Sequence, residues 1–161
     1  MGAYRMNHKH YFLLVILLIV IDQISKIFVA SQLELAEFVL VNSFFDLAHV
    51  HNYGAAFSLF SDLTSWQRYL LPLVSIIASV ILAIWMLRVD PSNLVKMSSL
   101  TLMLAGAMGN MIDRVFYGFV EDFISLHYQD LSFPVFNVAD ALLFVGVILL
   151  IFSDTKLNKK S

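Results

Sequence analysis

The chain has 161 residues, of which 60% are apolar and 14% are charged, and its mean hydropathy is +0.81. A soluble domain of this length could not bury so much apolar surface, so the composition excludes that class and predicts one compact membrane domain over residues 1–161. The absence of cysteine excludes disulfides, a thiol nucleophile and a thiolate metal site. The net charge of -2 is uninformative by itself. The sequence has no basic patch with interleaved aromatic residues, which predicts no nucleic-acid partner.

Four apolar stretches are long enough to cross a bilayer, whose hydrocarbon core of about 30 Å needs roughly 20 helical residues. They lie at about 11–30, 66–87, 97–115 and 136–153. The first follows a basic N-terminus, but no small-residue cleavage site comes after it and Asp22 interrupts the run. We therefore expect a retained membrane span rather than a cleaved signal peptide.

The distribution of lysine and arginine predicts the orientation. Seven of these residues lie in the N-terminus, the 88–96 loop and the C-terminal tail, namely Arg5, Lys9, Arg88, Lys96, Lys156, Lys159 and Lys160. The loops at about 31–65 and 116–135 contain neither residue type. Because positive charge is enriched in cytoplasmic loops, both termini are expected in the cytoplasm and these two loops outside. Residues 38–60, rich in β-branched and aromatic side chains, predict a small sheet on the outer membrane surface.

Polar residues inside the predicted spans fall on shared helix faces. Asp22 and Lys26 are four residues apart, and we interpret them as a structural ion pair in preference to direct chemistry. Asn110, Asp113 and Arg114 lie at positions i, i+3 and i+4 of the third span. Arg114 is suited either to binding a carboxylate through two parallel hydrogen bonds or to anchoring the helix end.

Asp122 and Asp140 are predicted to lie where two apolar segments approach the same membrane surface. Ionisable groups at membrane depth are candidates for function. Asn137 and Asp140 share a face at the start of the fourth span, where they could also serve as a helix cap and a residue that compensates the helix dipole. Two neighbouring carboxylates can share one proton, so that one is a base toward water and the other an acid toward a carbonyl.

Other chemistries lack their residues in this sequence. No His-Glu-x-x-His motif is present, and His49 and His51 share a strand face without an evident partner. Ser25 and Lys26 are adjacent and therefore on different helix faces, which disfavours a serine/lysine dyad. These residues alone favour a small proton-coupled membrane transporter and a carboxylate hydrolase about equally. A non-catalytic scaffold is a third alternative. Polar groups clustered toward the outer face disfavour a permeation path.

Five motifs in order resemble the lipoprotein signal peptidases, also called signal peptidase II or prolipoprotein signal peptidases. They are DQISK at 22–26, NYGAAFS at 52–58, GAMGNMIDR at 106–114, VEDF at 120–123 and FNVAD at 136–140. The resemblance covers nearly the whole chain. Glu121 stands where an apolar residue is expected before the aspartate, and Ala107 stands where a second glycine is frequent.

The resemblance implies a multi-pass aspartic endopeptidase of the bacterial cytoplasmic (inner) membrane. It would remove the signal peptide of a prolipoprotein by cutting just before a cysteine that carries a diacylglyceryl group. The implied fold is an all-α polytopic membrane protein of four transmembrane helices, with a small extracytoplasmic β-sheet, or cradle, and a short outer helical segment.

The resemblance also implies the site residues. Asp122 and Asp140 would be the catalytic dyad, toward the outer face of the membrane. Substrate-binding or dyad-supporting roles would fall to Asn52, Gly54, Asn110, Arg114, Asn137, Asp22, Lys26 and Asp113. No metal or organic cofactor is implied, the substrate and membrane lipid are the expected partners, and a complete site in one chain predicts a monomer.

Overall fold

A computed structural model of the protein describes residues 6–54, 67–129 and 131–157. Within these residues the chain forms four helices and four strands. The helices are α1 (His8–Gln32), α2 (Gln67–Arg88), α3 (Leu94–Phe116) and α4 (Val138–Leu157). The strands are β1 (Phe38–Asn42), β2 (Phe45–Asn52), β3 (Val120–Tyr128) and β4 (Leu131–Ser132). Each predicted apolar stretch therefore coincides with a helix, whose ends differ from the prediction by one to four residues.

Asparagine side chains determine where three of the helices begin. The side chain of Asn7 accepts a hydrogen bond from the backbone N–H of His10 at 3.4 Å, and Asn93 accepts one from Lys96 at 3.2 Å. Asn137 accepts one from Asp140 at 2.9 Å and directly precedes α4. Each contact satisfies a backbone donor that the first helical turn leaves without a partner. The fourth helix consequently begins two residues later than predicted.

The four strands form one antiparallel sheet in the order β1-β2-β3-β4. The predicted outer sheet at 38–60 is present as β1 and β2, whereas residues 55–60 lie outside the described part of the chain. The prediction of an outer loop at 116–135 was incomplete, because the segment contributes β3 and β4. β3 pairs with β2, so that His51 lies opposite Glu121 and Val50 lies opposite Asp122.

Helix α3 is central, since it packs against α1, α2 and α4. Its glycines permit this close packing. A Cβ atom on Gly106 would collide with the backbone carbonyl oxygen of Ala139 and would lie 2.8 Å from Leu143 Cγ. A Cβ atom on Gly109 would lie 2.6 Å from the carboxylate of Asp22. The bundle therefore brings the polar ends of α1, α3 and α4 together beside the sheet.

Two helices in the described part of the chain, His8–Gln32 and Tyr69–Arg88, are long and apolar enough to cross a membrane, and the apolar helix Val138–Ser153 is shorter. The 25 residues of α1 span about 37 Å. Many of its large apolar side chains are exposed, including Ile16, Ile24 and Phe28. The implied short outer helix does not occur in the described residues of the outer loops, and residues 55–66 lie outside them.

Candidate active site

Asp122 is buried on β3 and is held by two amide groups. Its side chain is 2% exposed. Asn137 Nδ2 donates to Asp122 Oδ1 at 2.6 Å, and Asn52 Nδ2 donates to Asp122 Oδ2 at 2.8 Å. Burial raises the pKa of Asp122 to about 6, the negative charge of Asp140 also raises it, and the hydrogen bonds from Asn52 and Asn137 act against that rise. This carboxyl group is thus poised to exchange a proton near neutral pH.

Asp140 lies in the first turn of α4 and is partly exposed. Asn110 Nδ2 donates to Asp140 Oδ1 at 2.7 Å, and the backbone N–H of Asn137 lies 3.4 Å from Asp140 Oδ2. Asn137 therefore contacts both predicted dyad members, one through its side chain and one through its backbone. The two aspartates, 18 positions apart in sequence, are brought to the same residue.

The orientation of the two asparagine amides follows from their partners. Asn110 Oδ1 accepts from Lys26 Nζ at 3.1 Å, and an ammonium group can only donate, so the amide nitrogen of Asn110 must face Asp140. Asn137 Oδ1 accepts from a backbone N–H, so its amide nitrogen faces Asp122. Asn137 Nδ2 also donates to Asn110 Oδ1 at 3.1 Å. A continuous chain of hydrogen bonds consequently connects Asp122 to Asp140.

Beneath this chain, Lys26 forms the predicted pair with Asp22 and a second pair with Asp113. Its Nζ atom is 2.8 Å from Asp22 Oδ2 and 2.8 Å from Asp113 Oδ2, and all three residues are buried. Asp22 Oδ1 accepts from the backbone N–H of Ala139 at 2.8 Å. The carboxylate of Asp22 on α1 therefore holds the first turn of α4 in place, and this turn carries Asp140.

Arg114 does not make the predicted pair of hydrogen bonds with a carboxylate of the described residues. Within the described residues it makes no hydrogen bond to a carboxylate, and its Nη1 atom lies 3.5 Å from both Ser75 Oγ and the backbone oxygen of Asn110. Its Nε atom is buried and has no hydrogen-bond partner in that part of the chain. The side chain of Arg114 extends from α3 toward α2. It therefore does not form two parallel hydrogen bonds with a carboxylate among these residues.

Gly54 supports Asn52 through its backbone. The N–H of Gly54 donates to Asn52 Oδ1 at 2.8 Å, which leaves the amide nitrogen of Asn52 for Asp122. Gly54 has φ of +94°, a conformation that L side chains rarely adopt, and this explains the glycine. The remainder of the NYGAAFS motif, residues 55–58, lies outside the described part of the chain.

Three contributors were not singled out from the sequence. Gln23 donates to Asp22 and to Asp113 Oδ1, the latter at 2.9 Å, and it also donates to the backbone of α3. Ser75 and the backbone N–H of Ala139 are the other two. Gln23 stands inside the DQISK motif, which was the available signal, but its contacts depend on how α1 packs against α3.

The histidines of β2 have a partner that is distant in sequence. Glu121 Oε2 lies 3.2 Å from His49 Nε2, and Glu121 Oε1 lies 3.2 Å from His51 Nε2. The interpretation that these histidines lack a partner was therefore wrong. Strand pairing creates the contact, because His51 and Glu121 are opposite each other although 70 positions separate them.

Comparison with known proteins decides the family. A family model described as signal peptidase (SPase) II matches residues 14–155. The chain belongs to the signal peptidase II family. It is 42% identical over 143 residues to a lipoprotein signal peptidase of Shewanella amazonensis, covering 88% of this chain and 84% of that protein. It is 41% identical over 145 residues to one of Acinetobacter baylyi, with coverage of 90% and 81%.

Two solved structures have the same fold as this signal peptidase II family member. Both are described as bacterial membrane enzymes. One superposes with a TM-score of 0.84 at 28% identity, covering all of this chain and 96% of the other. The second has a TM-score of 0.80 at 29% identity, with coverage of 90% and 92%. The protein is therefore a membrane peptidase, and the proton-coupled transporter and the non-catalytic scaffold find no support in these comparisons.

Proposed function

We propose that Asp122 and Asp140 form the catalytic dyad of an aspartic endopeptidase that removes the signal peptide of bacterial prolipoproteins. Cleavage would occur just before the cysteine that carries the diacylglyceryl group. The observation that supports this assignment is the hydrogen-bond chain through Asn137 and Asn110, because it connects the two carboxylates through only two side chains. The names and similarity of the relatives support the reaction and its substrate class.

The two carboxylates have different surroundings, and the proposed roles follow from them. Asp122 is buried and has the raised pKa of about 6, which suits a group that holds a proton for the substrate carbonyl oxygen. Asp140 is partly exposed, which suits a base that takes a proton from water. Water oxygen then bonds to the carbonyl carbon while Asp140 takes its proton and Asp122 protonates the carbonyl oxygen. The resulting tetrahedral intermediate breaks its C–N bond as Asp140 gives its proton to the departing amine, and one hydroxyl group of the intermediate returns a proton to Asp122 as the new carboxyl group forms.

The other polar residues hold this geometry or the substrate. Asn52, Asn110 and Asn137 orient the carboxylates, and Gly54 orients Asn52. Arg114 has a buried Nε–H donor without a partner in the described residues, so it is proposed to bind a substrate carbonyl oxygen rather than an aspartate. These contacts together would fix the scissile bond.

The supporting layer below the dyad consists of Asp22, Lys26 and Asp113. Their buried ion pairs join α1 to α3, and Asp22 also binds the start of α4. They are proposed to position the dyad without touching the substrate. The proposed chemistry requires no metal or organic cofactor.

The proposed membrane arrangement has four spans, with both termini in the cytoplasm and the dyad toward the outer face of the bacterial inner membrane. The positive loop residues support this orientation. The exposed apolar residues of β1, including Phe38, Leu40 and Val41, suit a strand that rests on lipid. We propose that residues 1–161 belong to a single domain, and since one polypeptide supplies every proposed site residue, a monomer suffices.

Partition into the membrane would provide much of the substrate recognition. A signal peptide is an apolar helix, and a diacylglyceryl chain is anchored in the same bilayer as the enzyme. Both would hold the cleavage site at a fixed depth, which reduces the entropy lost when the scissile bond meets the dyad.

The test is cleavage of a diacylglyceryl-modified prolipoprotein by the purified protein in detergent or lipid, with the unmodified precursor alongside. Asp122→Asn and Asp140→Asn should each lose at least about a thousandfold in rate, because the acid/base exchange is removed. Asp46→Asn is the matched control, since Asp46 pairs with His127 on the sheet and not with the dyad. Full activity in either dyad variant, or equal cleavage of the two precursors, would reject the proposal.

A further inference from the structure

Three side chains with metal-binding atoms cluster on the sheet, outside the proposed catalytic site. His49 and His51 are two positions apart on β2, and both contact Glu121 although the β2–β3 register is irregular between Leu47 and Val50. Glu121 lies opposite His51 on β3, whereas its neighbour Asp122 lies opposite Val50. Because successive side chains of a strand alternate between faces, the cluster and the proposed catalytic aspartate occupy opposite faces of the same strand pair.

The ligand atoms of this cluster are close together but do not form ordinary hydrogen bonds throughout. Glu121 contacts His49 Nε2 and His51 Nε2, in each case at 3.2 Å, and all three ligand atoms lie within 4.8 Å of one another. Neither His49 Nε2 nor Glu121 Oε2 has a hydrogen bond of acceptable geometry within the described part of the chain, and both atoms are buried. The His49 Nε2 and Glu121 Oε2 atoms are therefore near enough for a hydrogen bond but do not make one, as expected for atoms directed at a common third atom.

The surroundings of His49 determine which of its nitrogens is free. His49 is 8% exposed, and its Nδ1 atom lies 2.9 Å from the backbone oxygen of Leu33. A carbonyl oxygen only accepts, so Nδ1 must carry the hydrogen, and in the neutral ring Nε2 presents a lone pair toward Glu121. A lone pair facing a buried carboxylate is repulsive unless a proton or a metal cation lies between them, and a proton would form a hydrogen bond that these two atoms do not make within the described residues. A histidine that donates its other N–H to a backbone carbonyl is also the usual arrangement of a metal ligand.

His51 is held in place by an aromatic neighbour. Its ring stacks on Phe119 with the ring centroids 3.7 Å apart and an interplanar angle of 14°. The ring of His49 lies edge-on to that of His51, at a centroid distance of 5.3 Å. Both imidazoles are thus positioned by contacts that do not use their Nε2 atoms, and these atoms remain available to a ligand.

We propose that His49, His51 and Glu121 bind a divalent transition-metal cation of the zinc class. Bonds of about 2.0 to 2.2 Å in a tetrahedral site place neighbouring ligand atoms roughly 3.3 Å apart. Each imidazole Nε2 lies 3.2 Å from a different oxygen of Glu121, and one ligand atom from each residue lies within 4.8 Å of the others, so the ligand atoms would move closer together on binding. Two imidazoles and one carboxylate favour zinc over magnesium or calcium, which prefer oxygen ligands. The fourth position would be filled by water. This cation would join β2 to β3, the strands that carry Asn52 and Asp122, and its binding is independent of the proposed peptidase chemistry.

The test is titration of the metal-free, tag-free protein in detergent with Co²⁺, whose visible absorption bands report tetrahedral coordination. One Co²⁺ per chain is expected to bind, and Zn²⁺ is expected to displace it. His49→Asn keeps a donor near the position of Nδ1 but removes Nε2, and Glu121→Gln keeps the shape but removes the charge. Each should weaken binding at least about tenfold. His127→Gln is the matched control, because His127 pairs with a single carboxylate, Asp46, and should leave binding unchanged.

Thermal unfolding provides a second readout that does not depend on colour or on peptidase activity. Zn²⁺ should raise the apparent Tm of the wild type and of His127→Gln, and it should not raise that of Glu121→Gln, because a ligand that binds only the folded state stabilises it. A wild type that shows no tetrahedral Co²⁺ spectrum would overturn the proposal. Binding that is as tight in Glu121→Gln as in the wild type would also overturn it, because the cation would then lie elsewhere.

Discussion

Replacing Asp122 with Asn should abolish a distinctive pH dependence of the protein's stability. Asp122 is almost completely buried, and burial is the largest cause of its raised pKa, which moves from 3.8 to about 6. Its hydrogen bonds with Asn52 and Asn137 favour the charged form but do not offset burial. The folded protein therefore keeps a proton on Asp122 at pH values where the unfolded chain has lost it.

The size and sign of the effect follow from this difference. A rise in pKa from 3.8 to about 6 corresponds to about 3 kcal/mol. Between these two values the folded state binds more protons than the unfolded state, so the free energy of unfolding falls as pH rises. Above pH 6 the wild type bears the full cost of a buried charge, and Asp122→Asn does not bear it.

The assay is thermal unfolding of both proteins in the same detergent from about pH 4 to pH 7. Asp122→Asn also alters the hydrogen bonds with Asn52 and Asn137, which adds an offset that does not depend on pH. The quantity to follow is therefore the difference between the two apparent Tm values, and the test is how this difference changes with pH. For a chain of this length, about 3 kcal/mol corresponds to a change of about 6 to 12 °C in favour of the variant at the higher pH.

A matched control removes a carboxylate of no proposed role. Glu34 is exposed near the end of α1, and Glu34→Gln should follow the pH dependence of the wild type. A Tm difference between wild type and Asp122→Asn that stays constant from pH 4 to pH 7 would refute the reasoning. If the wild type instead became more stable relative to Asp122→Asn as pH rises, the reasoning would be refuted more strongly. That result would mean that folding stabilises the ionised form of Asp122.

Three further substitutions test the supporting residues. Arg114→Lys should lower kcat/KM at least about tenfold while the fold remains intact, because the planar guanidinium and its directed donors are lost although the charge is kept. Lys26→Met should destabilise the protein by about 3 to 5 kcal/mol, measured by thermal unfolding, because it leaves Asp22 and Asp113 buried without their cation. Gly106→Ala should lower both the apparent Tm and the cleavage rate, because the added Cβ collides with the backbone at the start of α4.

Controls for these three variants come from the same elements. Arg88→Lys changes a basic residue at the far end of α2 and should cleave at the wild-type rate. Ala107→Gly removes a methyl group beside Gly106 and should have a much smaller effect than Gly106→Ala. A fully active Arg114→Lys would return Arg114 to the role of helix anchor. Wild-type stability in Lys26→Met or Gly106→Ala would contradict the packing described for these sites.

The positions of the helices could be predicted because hydropathy is a local property. Each apolar stretch needed only its own residues to be recognised, and the Asp22/Lys26 pair needed only the helical repeat. Asn137 was foreseen both as a cap and as a site residue, and the structure shows how both are compatible. Its side-chain oxygen caps α4, and its amide nitrogen contacts Asp122.

The pairing of the strands was harder to predict from the sequence. Within residues 116–135 apolar and polar side chains alternate over 124–128, which is short for a strand signal. β3 is longer because β2 lies beside it, although some 70 positions separate the partners. The same pairing brings Glu121 to His49 and His51, which explains why the sequence analysis left these histidines without a partner. The hydrogen bond between Asn52 and Asp122 also depends on it.

By itself, the amino-acid sequence determined the membrane class, the helices, the expected orientation and the residues to be tested, because composition, periodicity and motif order are properties of the chain alone. Only the tertiary structure decided how those residues meet: that Asn110 and Asn137 connect the two aspartates, that Arg114 reaches toward Ser75, and that Glu121 faces two histidines. Such contacts are set by the packing of distant segments, where a shift of an ångström changes which donor meets which acceptor.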